Sequence, residues 1–493
     1  MTRHNLIQFI AAGACLGAAF LHPLLCPLAV LGLVLFIRAM VLSTDWKEAA
    51  LGGFIVGIFK YSGALIWFWH AYPLTWLGVA PVLTQILLIG GVWLLSVFLI
   101  GTSVSLAAMF IFWLYRRHKN YLYLFPLVLI ASEIFGSLIF SLYSLGPGSN
   151  FNIDFSFGYL GYPVSYFPGV LSIGVLGGVY ALTIFTGSLA LLIYLIWFKD
   201  RRIQSKRVRV LLLALIIWFI ATNLYLYLRP LENLNKEIIT ISTRFDPELL
   251  SQDAGYEIKE EQVQEAVVAA LGHDPDIILL PEDSRFVSSF TTQDEVFDFL
   301  YQAAPESNTL VADSSRAPIN EKDVTLRAYL FDLKNHNLHI IDKQHFVPQG
   351  EYLPYLFTFW LNWAGQEEFV SQVTTDRVYR PGPANSYADI PVDIPSVLFC
   401  FESVIPSGVA RVWREDSPNF ILHPVSQAWF NDSKILRYQL DRMLRIQAIA
   451  NDVHIVQAGN MAPSLVYTSR GQLNYGQALE SGEYFSISRF RPF

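Results

Sequence analysis

The stretch KQHFVPQGEYLP spans residues 343–354 and begins where an apolar, strand-like run, residues 337–342, ends. Two other reactive side chains stand at the same kind of position, since Glu282 comes after the apolar run 276–280 and Cys400 after the run 395–399. In layered α/β domains the sheet aims side chains at strand ends into one crevice. We therefore expect an acid, an amine and a thiol to lie together at one edge of a sheet.

These three groups form a coherent set for nucleophilic catalysis. A thiol with a pKa of about 8.5 is mostly protonated at neutral pH and needs a base. Glu282 can supply that base, and the Lys343 ammonium can stabilise the oxyanion that forms when sulfur attacks a carbonyl. Each residue alone also has a plainer interpretation, a small core residue for Cys400 and solvated loop charges for the other two. The pattern favours catalysis, with Cys400 as the nucleophile.

The sequence around these positions alternates short β-rich runs with two amphipathic segments, which is typical of a layered sheet-and-helix domain. The predicted strands are 237–243, 276–280, 308–313, 324–332, 337–342, 395–399, 418–424 and 453–458. Helices are predicted at 257–271 and 434–450. Residues 230–493 are therefore predicted to form an α/β domain.

Residues 1–229 have a different character, with few charges between long apolar runs. The whole chain is 53% hydrophobic and 15% charged, whereas soluble domains are about 25% charged. A helix needs about 20 apolar residues to cross a bilayer. Runs of that kind lie near 5–21, 23–41, 50–69, 80–113, 121–142, 168–198 and 209–228. The sequence predicts a transmembrane domain of about seven helices over residues 1–229.

Basic residues indicate the orientation of these spans, because Lys and Arg collect on the cytoplasmic side of a membrane. They occur in alternate loops: Arg3, then Arg38 and Lys47, then Arg116, Arg117 and Lys119, then Lys199, Arg201, Arg202, Lys206, Arg207 and Arg209. We expect a cytoplasmic N-terminus and an extracytoplasmic segment after Arg229. Lys60 and Glu133 lie within apolar runs, so they should face the bundle interior, a partner or the interface.

Composition also excludes some functions. A net charge of −7 gives no basic surface of the kind that nucleic acid needs. Three cysteines are present, and Cys15 and Cys26 fall in predicted spans, so a disulfide framework is not expected. Cys400 is predicted to be a free thiol.

The motif K-x-x-x-V-P-x-G-E-Y-x-P within 343–354, placed between Leu280-Pro281-Glu282 and Cys400-Phe401-Glu402, carries a resemblance. In this order and spacing the chain resembles the bacterial apolipoprotein N-acyltransferases, a membrane-bound branch of the nitrilase superfamily. The resemblance extends over almost the whole chain. It implies an αββα sandwich for the soluble domain and a catalytic triad of Glu282, Lys343 and Cys400. It also implies Glu351 as a positioning carboxylate and Glu402 as a support for the nucleophile turn.

The resemblance further implies a two-step reaction with neither cofactor nor metal. Cys400 takes an acyl chain from a phospholipid as a thioester, and the N-terminal amine of a diacylglyceryl-cysteine lipoprotein then accepts that chain. The implied location is the bacterial cytoplasmic (inner) membrane, with the catalytic domain on the extracytoplasmic side. Phospholipid, lipoprotein and the bilayer are the implied partners.

The chain departs from the family pattern around the triad and leaves the identity of the acceptor open. The departures are Phe401 for Tyr, Asn431 for Gly, Gln447 and Ala450 for an Arg and a Glu, Asn460-Met461-Ala462 for Asn-x-Gly, and the lack of an eighth apolar run. Three alternatives follow: a membrane-tethered amidase or acyltransferase that uses the triad on another amine, a non-catalytic relative, and a transporter suggested only by the number of spans.

Overall fold

The computed structural model describes residues 1–74, 81–151, 155–198, 205–230, 234–251, 253–376, 379–383, 390–414 and 417–492. Its helices are α1 (Arg3–Ala18), α2 (Pro27–Leu42), α3 (Trp46–Ala64), α4 (Val82–Arg117), α5 (Phe125–Tyr143), α6 (Gly161–Val164), α7 (Gly178–Trp197), α8 (Ser205–Leu228), α9 (Pro247–Ser251), α10 (Asp253–Leu271), α11 (Gln293–Ala303), α12 (Tyr355–Trp363), α13 (Glu367–Asp376), α14 (Gly408–Val412) and α15 (Lys434–Asn451). Its strands are β1 (Ile238–Thr243), β2 (Ile277–Leu279), β3 (Leu310–Pro318), β4 (Val324–Asp332), β5 (Asn337–Asp342), β6 (Ser396–Val397), β7 (Phe420–Ser426), β8 (His454–Asn460), β9 (Leu465–Tyr467), β10 (Leu473–Asn474), β11 (Gln477–Ser481) and β12 (Phe485–Phe490).

The N-terminal part is a bundle in which a helix stands at each of the seven predicted spans. Among the described residues, five segments are long and apolar enough to cross a membrane: Pro23–Leu42, Val82–Arg117, Lys119–Tyr143, Gly178–Trp197 and Lys206–Leu228. Helix α1 has only 16 residues, and α3 carries three charged side chains. The chain is therefore a multi-pass membrane protein, while seven crossings and their orientation stay predictions. Of the basic residues used for orientation, Lys199, Arg201 and Arg202 lie outside the described residues.

Small residues allow the helices of the bundle to approach closely. A Cβ atom placed on Gly63 of α3 would lie 2.2 Å from the carbonyl oxygen of Gly17 in α1. In the same way, a Cβ atom on Gly57 would lie 2.5 Å from the carbonyl oxygen of Gly101 in α4. Apolar side chains gain little from association inside lipid, so membrane helices pack best where their backbones can touch. Helix α3 is the central element of these contacts.

The C-terminal part is built on strands whose order is β10-β9-β8-β1-β2-β3-β4-β5, with β12 also paired to β1 and β7 to β8. Strands β1, β2 and β3 run parallel, and β3, β4 and β5 run antiparallel. One apolar cluster fills the space between the sheet faces. A second joins α10 and α11 to the outer face of β1 to β3, and a third joins α14 and α15 to β7 and β8. These four layers confirm the predicted αββα sandwich that follows a helical bundle.

The predictions made from sequence periodicity agree with many of the helices and strands in the C-terminal part. The bounds of β4 and β5 are as predicted, and α10 and α15 contain the two predicted helices. In the α/β part the prediction missed α9, α11, α12, α13 and α14 as well as the four strands β9 to β12. Strand β11 is largely exposed and therefore lacks an apolar face that would mark it. The boundary between the two predicted domains, at residues 229 and 230, stays a prediction.

The close crossing of α1 and α3 is tested by replacing Gly63 with Ala. The added methyl group meets backbone rather than a movable side chain, so the helices must separate, which costs about 1–3 kcal/mol of stability. We expect Gly63→Ala to lower the thermal unfolding temperature of the purified protein in detergent, followed by circular dichroism. The matched control is Gly91→Ala in α4, where a Cβ atom meets nothing within 4 Å. Equal unfolding temperatures for the two variants would contradict the packing described.

Candidate active site

The ammonium of Lys343 is the centre of a buried cluster of charges. Its side chain is 0% exposed, and its Nζ donates to Glu282 Oε1 at 2.9 Å. The same nitrogen donates to both carboxylate oxygens of Glu351, at 2.8 Å and 3.1 Å. A buried charge is tolerated only when it is paired and hydrogen bonded. Three of the predicted site residues are thus brought together by one nitrogen atom.

Strand ends and one turn deliver these side chains. Glu282 follows β2 in the middle of the sheet, and Lys343 follows β5 at its edge. Glu351 lies on a turn in which the backbone N–H of Val347 donates to Glu351 Oε2 at 2.6 Å. Gln349 in this turn has a left-handed backbone, with φ of 62°. The turn folds the 343–354 stretch back on itself, so Glu351 reaches the lysine eight residues before it.

Cys400 is the first residue of a 3-10 turn, Cys400–Val404. Leu398 and Phe399 connect this turn to β6. Cys400 is a free thiol with a partly exposed side chain. Its Sγ donates to the carbonyl oxygen of Ser426 at 3.6 Å. The charges of Glu282 and Lys343 both act on the thiol, which therefore lies close to them. The structure therefore gathers all four groups, whose catalytic roles stay predictions.

Burial and charge set the protonation states of the cluster. Burial raises the pKa of Glu282 to about 7, with the Lys343 ammonium opposing the rise and the Glu351 carboxylate adding to it. Burial alone would lower the pKa of Lys343, but the two carboxylates outweigh it and raise that pKa. Although part of the Cys400 surface is exposed, burial of the sulfur and the Glu282 charge raise the thiol pKa well above its usual value. Near neutral pH Cys400 is thus a thiol and Lys343 an ammonium. The Glu282 carboxyl group can take up or release a proton in this pH range.

Glu402 is the fifth predicted site residue, and it acts on the backbone. Its buried carboxylate accepts hydrogen bonds from the N–H groups of Gln344 at 2.8 Å, His345 at 3.2 Å and Phe399 at 3.0 Å. These bonds join the start of the 343–354 stretch to the turn that carries Cys400. Glu402 therefore ties the turn that begins with Cys400 to the two residues that follow Lys343.

Two residues that depart from the family pattern have definite partners. The Gln447 amide nitrogen donates to the Ser403 carbonyl oxygen at 2.6 Å, and its oxygen accepts from the N–H of Val409 at 3.0 Å. An uncharged side chain thus holds the turn that begins with Cys400, at a position where the resemblance implies an Arg. Asn431 donates to the carbonyl oxygens of His70 and Tyr72, at 3.0 Å and 2.8 Å, and so ties the α/β part to the bundle.

Asn460 is a site residue to which the sequence assigned no role. Its Oδ1 accepts from Thr243 Oγ1 and from the N–H of Phe245, both at 2.9 Å. Its Nδ2 donates to Ser426 Oγ at 3.3 Å, on the residue whose carbonyl oxygen accepts from Cys400. Asn460 ends β8, so the strand-end pattern that revealed Glu282 could also have revealed it.

The turn Cys400–Val404, the nucleophile turn of the predicted site, rests on the membrane bundle. The ring of Phe401 packs against the rings of Phe155 and Phe157, with centroids 5.5 Å and 6.2 Å apart. The carbonyl oxygen of Val404 accepts from Ser156 Oγ at 2.6 Å. An aromatic residue without a hydroxyl suits this apolar contact, which explains why Phe401 can stand where the family has Tyr. The thiol therefore lies where the two parts of the chain meet.

Comparisons with known proteins agree with the resemblance over part of the chain. No protein-family model matches. Curated relatives named apolipoprotein N-acyltransferase include those of Bradyrhizobium diazoefficiens, 27% identical over 40% of this chain, and of Rhizobium leguminosarum bv. trifolii, 24% identical over 44%. These matches span 36% and 41% of the two relatives. An amidase from Nesterenkonia sp. aligns with 52% of this chain and 90% of its own, at 14% identity and a TM-score of 0.33.

The role of Glu402 as a backbone support is tested by Glu402→Ala. The substitution leaves three N–H groups without their acceptor, and each unsatisfied buried group costs about 1–3 kcal/mol. We expect thermal unfolding temperatures to fall in the order wild type, Glu402→Gln, Glu402→Ala, because the amide keeps one acceptor oxygen. The control is Glu480→Ala on the exposed strand β11. If Glu402→Ala unfolds at the temperature of that control, Glu402 does not hold the turn.

Proposed function

We propose that this chain, which is similar over less than half of its length to apolipoprotein N-acyltransferases, is a membrane acyltransferase that carries an acyl chain on Cys400. One observation supports this most strongly. The side chains of Glu282 and Lys343 lie together near the Cys400 thiol, and the turn that carries this thiol rests against the membrane bundle. A thiol, a base and a fixed cation at a membrane boundary match the needs of acyl transfer between lipids.

In the first step the Cys400 sulfur attacks the ester carbonyl carbon of a phospholipid. Glu282 takes the thiol proton as the carbon–sulfur bond forms, and the carbonyl electron pair moves onto oxygen. When that pair returns, the ester carbon–oxygen bond breaks and the leaving lysophospholipid oxygen takes the proton from Glu282. Because the thiol pKa is well above its usual value, the base has to act during the attack.

Lys343 supplies the electrostatic part of the step. Its raised pKa keeps the ammonium charged while Glu282 gains and loses a proton. A fixed cation in a water-poor site stabilises the negative charge that develops on the carbonyl oxygen. Glu351, which accepts two of the lysine hydrogen bonds, holds the ammonium in place when Glu282 is neutral.

In the second step an amine replaces the sulfur. The nitrogen attacks the thioester carbon and gives a proton to Glu282, and the carbon–sulfur bond breaks. The thiolate then takes the proton back, which returns the site to its starting state. The acceptor that we propose is the N-terminal amine of a diacylglyceryl-cysteine lipoprotein, on the strength of the names of the curated relatives.

The proposed location is the bacterial cytoplasmic membrane, with the α/β part on the extracytoplasmic side. The multi-pass bundle supports a membrane location. Arg116 and Arg117 at the C-terminal end of α4 support the orientation, because basic residues favour the cytoplasmic face. Donor and acceptor are both lipids in this proposal, so each reaches Cys400 by moving within the bilayer.

The thioester is tested by intact-mass measurement after the purified protein is incubated with phospholipid and no amine. We expect a mass gain of one acyl chain on wild type and on the matched control Cys15→Ala/Cys26→Ala, and none on Cys400→Ala. A diacylglyceryl-cysteine peptide should then discharge the adduct faster than water does. Discharge at the same rate by water alone would favour an amidase-like hydrolase. An unmodified Cys400 would contradict the proposal.

The pH dependence of Cys400 acylation tests Glu282 as the base. Only the ionised carboxylate accepts a proton, and its pKa is raised to about 7. The single-turnover rate should therefore rise with pH below that value and level off above it. Glu282→Gln should slow the step by about 10²–10⁴-fold, the usual contribution of a general base. It should also remove the inflection near neutral pH, so the same inflection in the variant would assign it to another group.

A further inference from the structure

The bundle contains a buried ion pair that the reaction above does not use. Lys60 Nζ on α3 lies 2.8 Å from Glu133 Oε1 on α5, and the two side chains are 2% and 0% exposed. Of the placements expected for these two residues, the structure shows the bundle interior, with each residue as the partner of the other. Ionisable residues inside a membrane are costly to keep and commonly mark functional elements. The partners of Glu133 indicate which element this pair serves.

Glu133 holds a segment of the loop that follows α5. Its Oε1 accepts from the backbone N–H of Leu160 at 2.9 Å, and its Oε2 accepts from Thr183 Oγ1 at 3.0 Å. One helical turn further along α5, Ser137 Oγ donates to the carbonyl oxygen of Phe155 at 2.5 Å. Helix α5 thus fixes residues 155–160, which we name the pinned segment, at both of its ends.

The opposite side of the pinned segment contacts the nucleophile turn. Ser156 donates to the Val404 carbonyl oxygen through its backbone N–H at 3.4 Å and through its Oγ at 2.6 Å. The rings of Phe155 and Phe157 support the ring of Phe401. Phe401 and Val404 belong to the 3-10 turn that begins with Cys400. A continuous series of contacts therefore joins Glu133 to the turn of the thiol.

We propose that Glu133 is a positioning residue, which sets the location of the Cys400 turn by holding the pinned segment through the Leu160 N–H. The inference rests on the proposed function for the role of Cys400. Lys60 supplies the positive charge that keeps the Glu133 carboxylate in place. Displacement of a reacting group by about 1 Å can slow a reaction by about 10²-fold, so a distant anchor can matter to the chemistry.

The positioning role is tested by two variants that both remove the charges of the Lys60–Glu133 ion pair. They differ in whether residue 133 keeps an oxygen that can accept from the Leu160 N–H. In the background Cys15→Ala/Cys26→Ala, which leaves Cys400 as the single thiol, we compare Lys60→Met/Glu133→Leu with Lys60→Met/Glu133→Gln. Both lose the ion pair, but Gln keeps an oxygen for the Leu160 N–H. We expect the Leu variant to slow acyl-thioester formation by about 10- to 100-fold, and the Gln variant to recover most of that loss.

A second readout does not depend on acyl transfer. Alkylation of Cys400 by iodoacetamide across a range of pH reports the pKa of the thiol, which Glu282 and Lys343 influence. A displaced turn changes its distance from both charges, so the alkylation midpoint should shift in the Leu variant and return towards the background value in the Gln variant. If neither the background nor any variant forms a thioester, the proposed function fails. The alkylation midpoints of Cys400 still test the positioning role in that case.

Two variants near the Val404 contact test the proposal even if the Leu variant does not fold. Ser156→Ala removes the hydroxyl that donates to Val404. Ser165→Ala removes a buried hydroxyl nearby that donates, within the part of the chain that the structure describes, to the Tyr162 carbonyl oxygen. We expect Ser156→Ala to shift the midpoint and slow acylation, and Ser165→Ala to change neither. An unshifted midpoint in Ser156→Ala, or in the Leu variant where that variant folds, would overturn the proposal.

Discussion

A single buried ammonium organises the site. Lys343 is 0% exposed, so its charge has to be balanced by partners that the fold itself delivers. Two carboxylates meet it, one from the end of a central strand and one from the turn of the 343–354 stretch. Burial of the carboxylate raises the pKa of Glu282 to about 7, with the Lys343 ammonium opposing the rise and the Glu351 carboxylate adding to it.

The membrane bundle takes part in the same construction. The turn that carries Cys400 is held from the α/β side by Glu402 and Gln447. From the bundle side it is held by Ser156 and by the rings of two phenylalanines. Cys400 thus lies between two environments, the charged cluster of Lys343 and a group of buried aromatic rings from the bundle. The two parts of the chain therefore depend on each other at the point where chemistry is proposed.

Much of this arrangement could be predicted from the sequence, because strand ends and apolar runs leave clear periodic signals. Glu282, Lys343 and Cys400 each follow an apolar strand, and the structure brings them together. Strands β9 and β10 were missed because they are short, and β11 was missed because it is exposed. The partners of Gln447 and Asn431 could not be predicted either, since each bonds to backbone carbonyl groups distant in sequence. Backbone acceptors of this kind carry no sequence signal.

The central claim is that Cys400 carries a fatty chain at the boundary of the bundle. The most direct measurement is a cryo-electron microscopy map of the purified protein after incubation with phospholipid in the absence of an amine acceptor. We predict continuous density from the Cys400 sulfur into an acyl chain, with the thioester oxygen near the Lys343 ammonium. Density for a bare sulfur, or an acyl group attached to another residue, would contradict the claim.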